Sequence, residues 1–336
     1  MNSADTWLQV TPKGLYCAPG DFYIDPTHRV ERAVVTHAHA DHARYGNHSV
    51  LATPNTLDIM KIRYGESAYV QRQELDYGKS LKVGDVTVTL FPAGHVLGSA
   101  QVLMDYKGER VIAAGDYKRR PDPSTQACEL IKCHVFITEA TFALPVFTHP
   151  PAEQEIAKLL AALRQFPDRV TVVGAYSLGK AQRVMAELKA AGYNAPIYMH
   201  GAIKKISDYY LDQGWPLGEL IPASQVSKDQ LKGQVLIAPP SALADKWSAS
   251  LPDPLTAMAS GWMRVRARAK QRGVELPLVI SDHVDWPELV ETIQDVEADE
   301  IWITHGREDA LMRQCELMGI ASRPLRLIGY EDEDSD

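Results

Sequence analysis

Cysteine is scarce, long apolar runs are missing and positive charge is not in excess, and each shortage removes a class of protein. The 4 cysteines among 336 residues, Cys17, Cys128, Cys133 and Cys315, form no CxxC pair. They offer neither the dense disulfide framework of a small secreted domain nor a cysteine zinc knuckle, so reduced, buried thiols are expected. No stretch approaches the ~20 apolar residues of a membrane-spanning helix, and Met1 to Lys13 lacks the basic-then-apolar pattern of an export signal. A soluble, cytoplasmic protein without a membrane partner is the expectation. Lys and Arg number 35 against 43 Asp and Glu, a net charge of -8, which excludes a generally basic nucleic-acid coat. Part of that balance comes from Glu331-Asp332-Glu333-Asp334-Ser335-Asp336, which reads as a disordered acidic tail. What remains is a chain 45% hydrophobic and long enough for two domains.

Histidine is present in a telling order. Thr36-His37-Ala38-His39-Ala40-Asp41-His42 follows the short apolar run Ala33-Val34-Val35, giving the HxHxDH pattern of a binuclear metal hydrolase. A strand ending near Val35 would deliver His37 and His39 to one side of a tight loop and turn Asp41 and His42 toward a second ion. A merely polar His-rich loop is the bland alternative. Further candidates stand where other apolar runs stop. Val86-Thr87-Val88-Thr89-Leu90 alternates with strand period and leads into a glycine-containing loop that carries His95. Arg110-Val111-Ile112-Ala113-Ala114 ends at Gly115-Asp116, whose carboxylate could bridge two cations. Glu300-Ile301-Trp302-Ile303-Thr304 runs into a loop beginning at His305. Any one of these side chains could instead satisfy a helix end or a buried backbone group, but their repeated placement at strand ends argues against that.

With these motifs the chain resembles the metallo-β-lactamase superfamily, and within it the β-CASP nucleases. Asp25, closing Phe22-Tyr23-Ile24, resembles the aspartate that braces the metal loop. The resemblance implies that His37, His39 and His95 hold one metal, that Asp41, His42 and His305 hold a second, and that Asp116 bridges them. Glu139, His283 and His305 are similar to the acidic motif A and the histidines of motifs B and C, which favour β-CASP over a β-lactamase or thioesterase. The implied fold class is α/β, a metallo-β-lactamase αββα sandwich with an inserted β-CASP α/β cap domain. Its boundaries read as 1–145 for the first part of the hydrolase domain, 146–274 for the cap, 275–330 for the second part and 331–336 for the tail. Within the cap, Arg169 to Val173, the Ser177-Leu178-Gly179-Lys180 turn and a helix from Ala181 to Ala191 read as a β-turn-α unit. Leu276 to Ile280 reads as the strand that returns the chain to the hydrolase domain, followed by a helix capped by Asp285.

The likeness is strongest to bacterial ligase-associated DNA exonucleases, in Ser260-Gly261-Trp262-Met263-Arg264-Val265-Arg266 and in Leu278 to Trp286. It implies a DNA exonuclease active in DNA repair, with a DNA ligase and a helicase as partners. RNA nucleases of mRNA 3′-end processing share the metal motifs and are the alternative. Two divalent ions, Zn or Mn, would activate water for attack on phosphorus, with His283, oriented by Glu139, protonating the departing 3′ oxygen. Candidate substrate contacts are Lys118, Arg119 and Arg120 after Asp116, and Ser177, Gly179 and Lys180 at a strand-to-helix turn. Arg264, Arg266, Arg268, Lys270 and Arg272 would line one face if extended and spread around the surface if helical. Trp262 could stack a base or be buried.

Overall fold

Alternation along the apolar runs decides the architecture. In the computed structural model, which describes residues 4–327, the chain divides into two units: residues 4–121, 126–146 and 283–327 form one, and residues 122–125 and 147–282 the other.

The first unit holds two sheets. One runs in the order β1 (Leu8–Thr11), β2 (Gly14–Cys17), β3 (Phe22–Ile24), β4 (Arg32–Val34), β5 (Asn47–Ala52), β6 (Tyr69–Glu74), with α1 (Pro54–Tyr64) against β5 and β6. The other contains β7 (Ser80–Val83), β8 (Val86–Pro92), β9 (Ala100–Tyr106), β10 (Glu109–Ala113), β11 (Val135–Ala140), β18 (Glu300–Gly306) and β19 (Ala321–Pro324). Their order is β19-β18-β11-β10-β9-β8-β7. Successive residues of these strands face opposite sides. Val111, Ala113, Val135, Ile137 and Trp302 share a core with Leu15, Phe22, Ile24 and Leu51 of the first sheet. Ile112, Phe136, Ile301 and Ile303 instead pack with Leu289 and Ile293 of α7 (Trp286–Asp295) and with Leu311 and Cys315 of α8 (Glu308–Leu317). Covering both faces is why Val111–Ala113 of β10 and Val135–Ile137 of β11 are apolar without alternation. Each large side chain so buried contributes roughly 1.5–3 kcal/mol. The result is a mixed α/β sandwich with helices outside the sheets.

The N-terminus of α7 is fixed by its own residues. Asp285 Oδ1 accepts from Glu288 N at 3.1 Å, Glu288 Oε2 accepts from Asp285 N at 3.1 Å, and Pro287 supplies an N-terminal turn that needs no amide donor. Glu288 also takes Lys118 Nζ at 2.8 Å and Arg120 N at 2.8 Å. Burial works against its charge, but Lys118 and Arg120 more than offset this and bring its carboxyl down to about 2. The folded pKa therefore lies below the unfolded value, so the linked stability is complete above the usual carboxylate range and is lost as pH falls toward about 2. Glu288→Gln should remove on the order of 3 kcal/mol at neutral pH and flatten the acid limb of the stability curve, as read by denaturant melts between pH 7 and 3.

The second unit is built on a parallel sheet in the order β14 (Leu220–Pro222), β13 (Ile197–Met199), β15 (Val235–Ala238), β12 (Val170–Gly174), β16 (Pro254–Ala259), β17 (Leu276–Leu278). Its helices are α2 (Ala152–Gln165), α3 (Lys180–Ala190), α4 (Gly201–Asp212), α5 (Lys246–Ala249) and α6 (Arg266–Gln271). One expectation is corrected here, and one open alternative is decided. Leu276–Leu278 pairs with β16 and closes this sheet, and the unit continues to Asp282, so the chain does not return at residue 275. A short apolar run fits either sheet, and its pattern does not name its neighbour. The cationic stretch is helical: a 3-10 turn spans Gly261–Arg264 and α6 follows, so the cations do not line one extended face. The helix propensity of Ala, Arg and Lys prevails there. Among the described residues no helix is long and apolar enough to cross a membrane, and the acidic tail lies outside them.

Candidate metal centre

The histidines meet because strands of the first unit stop at one edge and their loops turn inward. β4 ends at Val34, and Thr36 is then caught by Asp25: its N donates to Oδ1 at 2.8 Å and its hydroxyl to Oδ2 at 2.6 Å. Asp25 Oδ2 is also 2.8 Å from His42 Nδ1, so one buried carboxylate ties both ends of the His37–His42 loop. Asp25 sits at φ 42°, a conformation costly for a residue with a Cβ, and these bonds offset the strain. Gly115, φ 58°, lets β10 end against that loop, because a Cβ there would meet Thr36 Cβ at 2.8 Å. Asp116 follows. Ser99 Oγ accepts from His95 N and Val96 N at 3.1 and 3.2 Å, which sets the turn carrying His95. His305 is reached at the end of β18 with φ 56°, still within the strand rather than in a loop beyond it.

Donor atoms of His37, His39, His95 and Asp116 all lie within 4.8 Å of one another, and all four residues are buried. His95 Nε2 is 3.0 Å from His39 Nδ1, and Asp116 Oδ2 is 3.5 Å from His37 Nε2 and 3.8 Å from His95 Nε2. Bonds of 2.0–2.1 Å to a tetrahedral zinc would place ligand atoms about 3.3 Å apart, close to this spacing. His37 Nε2 is buried and makes no hydrogen bond, an arrangement that costs free energy unless a cation takes the lone pair. The residues therefore fit a divalent metal. The second expected set is looser: His42 Nε2 stands 3.4 Å from both Asp41 Oδ2 and Asp116 Oδ2, and the His305 ring centroid lies 5.5 Å from that of His42. Asp116 belongs to both sets.

Electrostatics separate His42 from the other rings. Burial, reinforced by the neighbouring His42 and His95, holds His37 well below the usual histidine range, and burial beside His42 brings His305 down to about 3. Both rings are thus neutral, the form that binds metal. Burial opposes charge on His42, but Asp41, Asp116 and Asp25 outweigh it and raise its pKa well above the usual value. Asp116 is likewise penalised by burial, yet His42 and His283 hold it ionised.

His283 and Glu139 stand beside this cluster. His283 Nδ1 is 2.9 Å from Glu139 Oε2, its ring centroid is 4.6 Å from that of His95, and donor atoms of Asp116, Glu139 and His283 lie within 4.8 Å of one another. Burial, aided by Asp116, raises the Glu139 carboxyl, while His283 pulls it back.

The expected substrate contacts are arranged differently. Lys118 is buried, with Nζ 2.8 Å from Glu288 Oε2 and 3.1 Å from the His283 carbonyl. Arg119 pairs with Asp295 at 2.5 Å, and Arg120 with Asp285 at 2.7 Å. All three are turned toward α7 or the segment leading into it. Lys180 is buried 2.9 Å from Asp282, and Gly179 N already donates to Gln182 Oε1 at 2.8 Å. Trp262 is buried, with the Arg268 guanidinium 3.7 Å from its ring centroid and the Phe147 ring edge-on at 5.0 Å. Arg264 and Arg266 are exposed. Cys128 is only half-buried, unlike the other cysteines, and all four thiols are free. Sequence reading missed Thr36, Ser99 and Tyr117 as supports. Their signal was adjacency, since each lies within four residues of a candidate ligand.

Comparison with known proteins follows the same lines. No family model matches the chain. A protein named "Probable DNA ligase" from Opitutus terrae is 27% identical over 298 residues, covering 87% of this chain and 28% of that protein. "Endoribonuclease YSH1" from Gibberella zeae is 29% identical over 151 residues, 43% of this chain and 18% of that protein. The chain thus spans less than a third of the length of these curated relatives. Among solved structures, a protein of unknown function from Enterococcus faecalis superposes with TM-score 0.54 at 13% identity, covering 81% of this chain and 74% of that one, a likeness of fold. With its motifs and its homology to these proteins taken together, the chain is a relative of the β-CASP nucleases of the metallo-β-lactamase superfamily.

Proposed function

We propose that the protein is a metal-dependent nuclease that shortens DNA strands from an end, with the second unit as its β-CASP cap. The observation that carries this reading is the convergence, at one edge of the first unit, of the His37, His39, His95 and Asp116 donors with the His283–Glu139 pair. His37, His39, His95 and Asp116 would hold one ion, and Asp41, His42, His305 and Asp116 a second. Zinc suits the imidazoles, and manganese suits the mixture of imidazole and carboxylate. Such ions supply Lewis acidity to phosphate oxygens and make water a stronger acid, so no Ser or Cys nucleophile is required. Asp25 holds the loop in register, and Glu139 orients His283. With Nδ1 committed to Glu139, His283 would carry its transferable proton on Nε2. It gives that proton to the departing 3′ oxygen as the P–O3′ bond breaks and water oxygen bonds to phosphorus, leaving a 5′-phosphate.

DNA is the first choice because the likeness to the protein named a DNA ligase extends over 87% of the chain. The same likeness supports action beside a ligase in DNA repair, and the family resemblance adds a helicase. RNA is the second reading, supported by the match to an endoribonuclease over 43% of the chain. The test is incubation of the metal-reconstituted protein with matched DNA and RNA strands, each labelled at one end, in zinc and in manganese, with His37→Ala as control. Progressive shortening of DNA alone is expected, absent in the variant. Preferential cleavage of RNA would move the assignment to the second reading, and intact strands of both kinds would remove the nuclease reading altogether.

A further inference from the structure

The peptide after Asp116 joins the two residues proposed to handle the leaving group. Tyr117 N donates to Glu139 Oε1 at 3.0 Å, and Tyr117 O accepts from Val284 N at 2.9 Å. The Tyr117 hydroxyl lies 3.1 Å from Thr138 Oγ1, beside Glu139 on β11. Lys118 then completes the tie: Nζ donates to the His283 carbonyl at 3.1 Å and to Glu288 Oε2 at 2.8 Å, with only 2% of the residue exposed. The Lys118 amide in turn donates to Ala93 O at 2.9 Å, two residues before His95. A lysine so buried cannot bind phosphate, and burying its ammonium is costly unless every direction is paired. Glu288 pairs the charge, and a second of the three ammonium donors is spent on the His283 carbonyl.

We propose that Lys118 is a positioning residue, whose ammonium, anchored by Glu288, clamps the His283 carbonyl and so holds the imidazole, already braced by Glu139, against the leaving oxygen. Two independent bonds thereby fix His283, Glu139 at the ring and Lys118 at the main chain. The inference rests on the nuclease reading above and adds a residue that acts through another rather than on the substrate. Misplacing a reacting group by about 1 Å can cost on the order of 100-fold in rate, which sets the scale of the effect.

The test uses Lys118→Met in the full chain with two substrates. One is a DNA strand, whose 3′ oxygen leaves poorly without a proton. The other is thymidine 5′-(p-nitrophenyl phosphate), whose nitrophenolate leaves without one. On DNA, kcat should fall roughly 10- to 100-fold with KM within about twofold. On the nitrophenyl ester the loss should shrink to about threefold or less, as it should for His283→Ala. Lys118→Met leaves Glu288 charged and buried, so Lys118→Met/Glu288→Gln is run beside it. The double variant removes that charge, keeps an acceptor for Asp285 N, and still lacks the donor to His283. It should show the same split between substrates. Equal loss on both substrates in the double variant, or none on either, would overturn the positioning role while leaving the nuclease reading intact. Wild-type protein inactive on both substrates would sink the nuclease reading, and the positioning role with it.

Discussion

Asp116→Ala is expected to abolish turnover and to strip the metal as well, because in the proposed centre one carboxylate would serve both ligand sets. Its Oδ2 lies within 3.4–3.8 Å of His37, His42 and His95. Losing a single preorganised electrostatic partner of a transition state costs roughly 100- to 1,000-fold, and removing Asp116 should cost more, since it would help to hold both proposed ions. A fall of at least about 1,000-fold is expected, with bound metal measured by elemental analysis falling below half of the wild-type content. The variant carries a second signature in its ionisation. The rings around Asp116 hold it ionised, and Asp116 in turn helps to raise the pKa of His42. Without that carboxylate, His42 keeps Asp41 and Asp25 as acidic neighbours, and its pKa should fall back toward the usual histidine range. Normal metal content together with wild-type turnover would show that Asp116 bridges nothing.

That such a prediction can be made at all reflects how locally the ligands are encoded. His37, His39, Asp41 and His42 lie within six residues, and a strand followed by a tight loop leaves few ways to arrange them. His95, Asp116 and His305 were legible because each stands at or just past an apolar run, and those runs did become β8, β10 and β18. The same logic covers Asp285, whose side chain and following Pro287 announced α7.

The cations were not legible in this way. Whether a lysine faces solvent or a buried carboxylate depends on residues far along the chain: Lys118 finds Glu288 across 170 positions, and Lys180 finds Asp282. No window of sequence around either lysine contains that partner. Buried and exposed lysines look alike until the topology is known, and so Lys118, Arg119 and Arg120 read as candidate substrate contacts when they are ties to α7 and its approach. Sheet membership of Leu276–Leu278 was hidden for a related reason, since strand pairing is a property of two segments and periodicity describes one.

His283→Ala separates chemistry from metal binding, and its outcome decides how the leaving oxygen is protonated. His283 reaches the cluster through its ring, 4.6 Å from that of His95, but its Nδ1 is spent on Glu139 at 2.9 Å. If it acts as general acid, removing it should leave the metal content unchanged and lower kcat by about 100- to 10,000-fold, with KM little altered. A residue that merely buttressed the ligands would instead lower metal affinity, typically 10- to 100-fold, and excess metal would restore the rate. Titrating metal into the variant therefore distinguishes the two roles. Folding should survive, because Glu139 keeps Tyr117 N as a donor at 3.0 Å and its buried carboxyl is already biased toward the neutral form. The lost bond itself is worth about 1.5–3 kcal/mol of stability. Turnover unchanged in the metal-saturated variant would remove His283 from the mechanism, and the proton for the 3′ oxygen would then have to come from water.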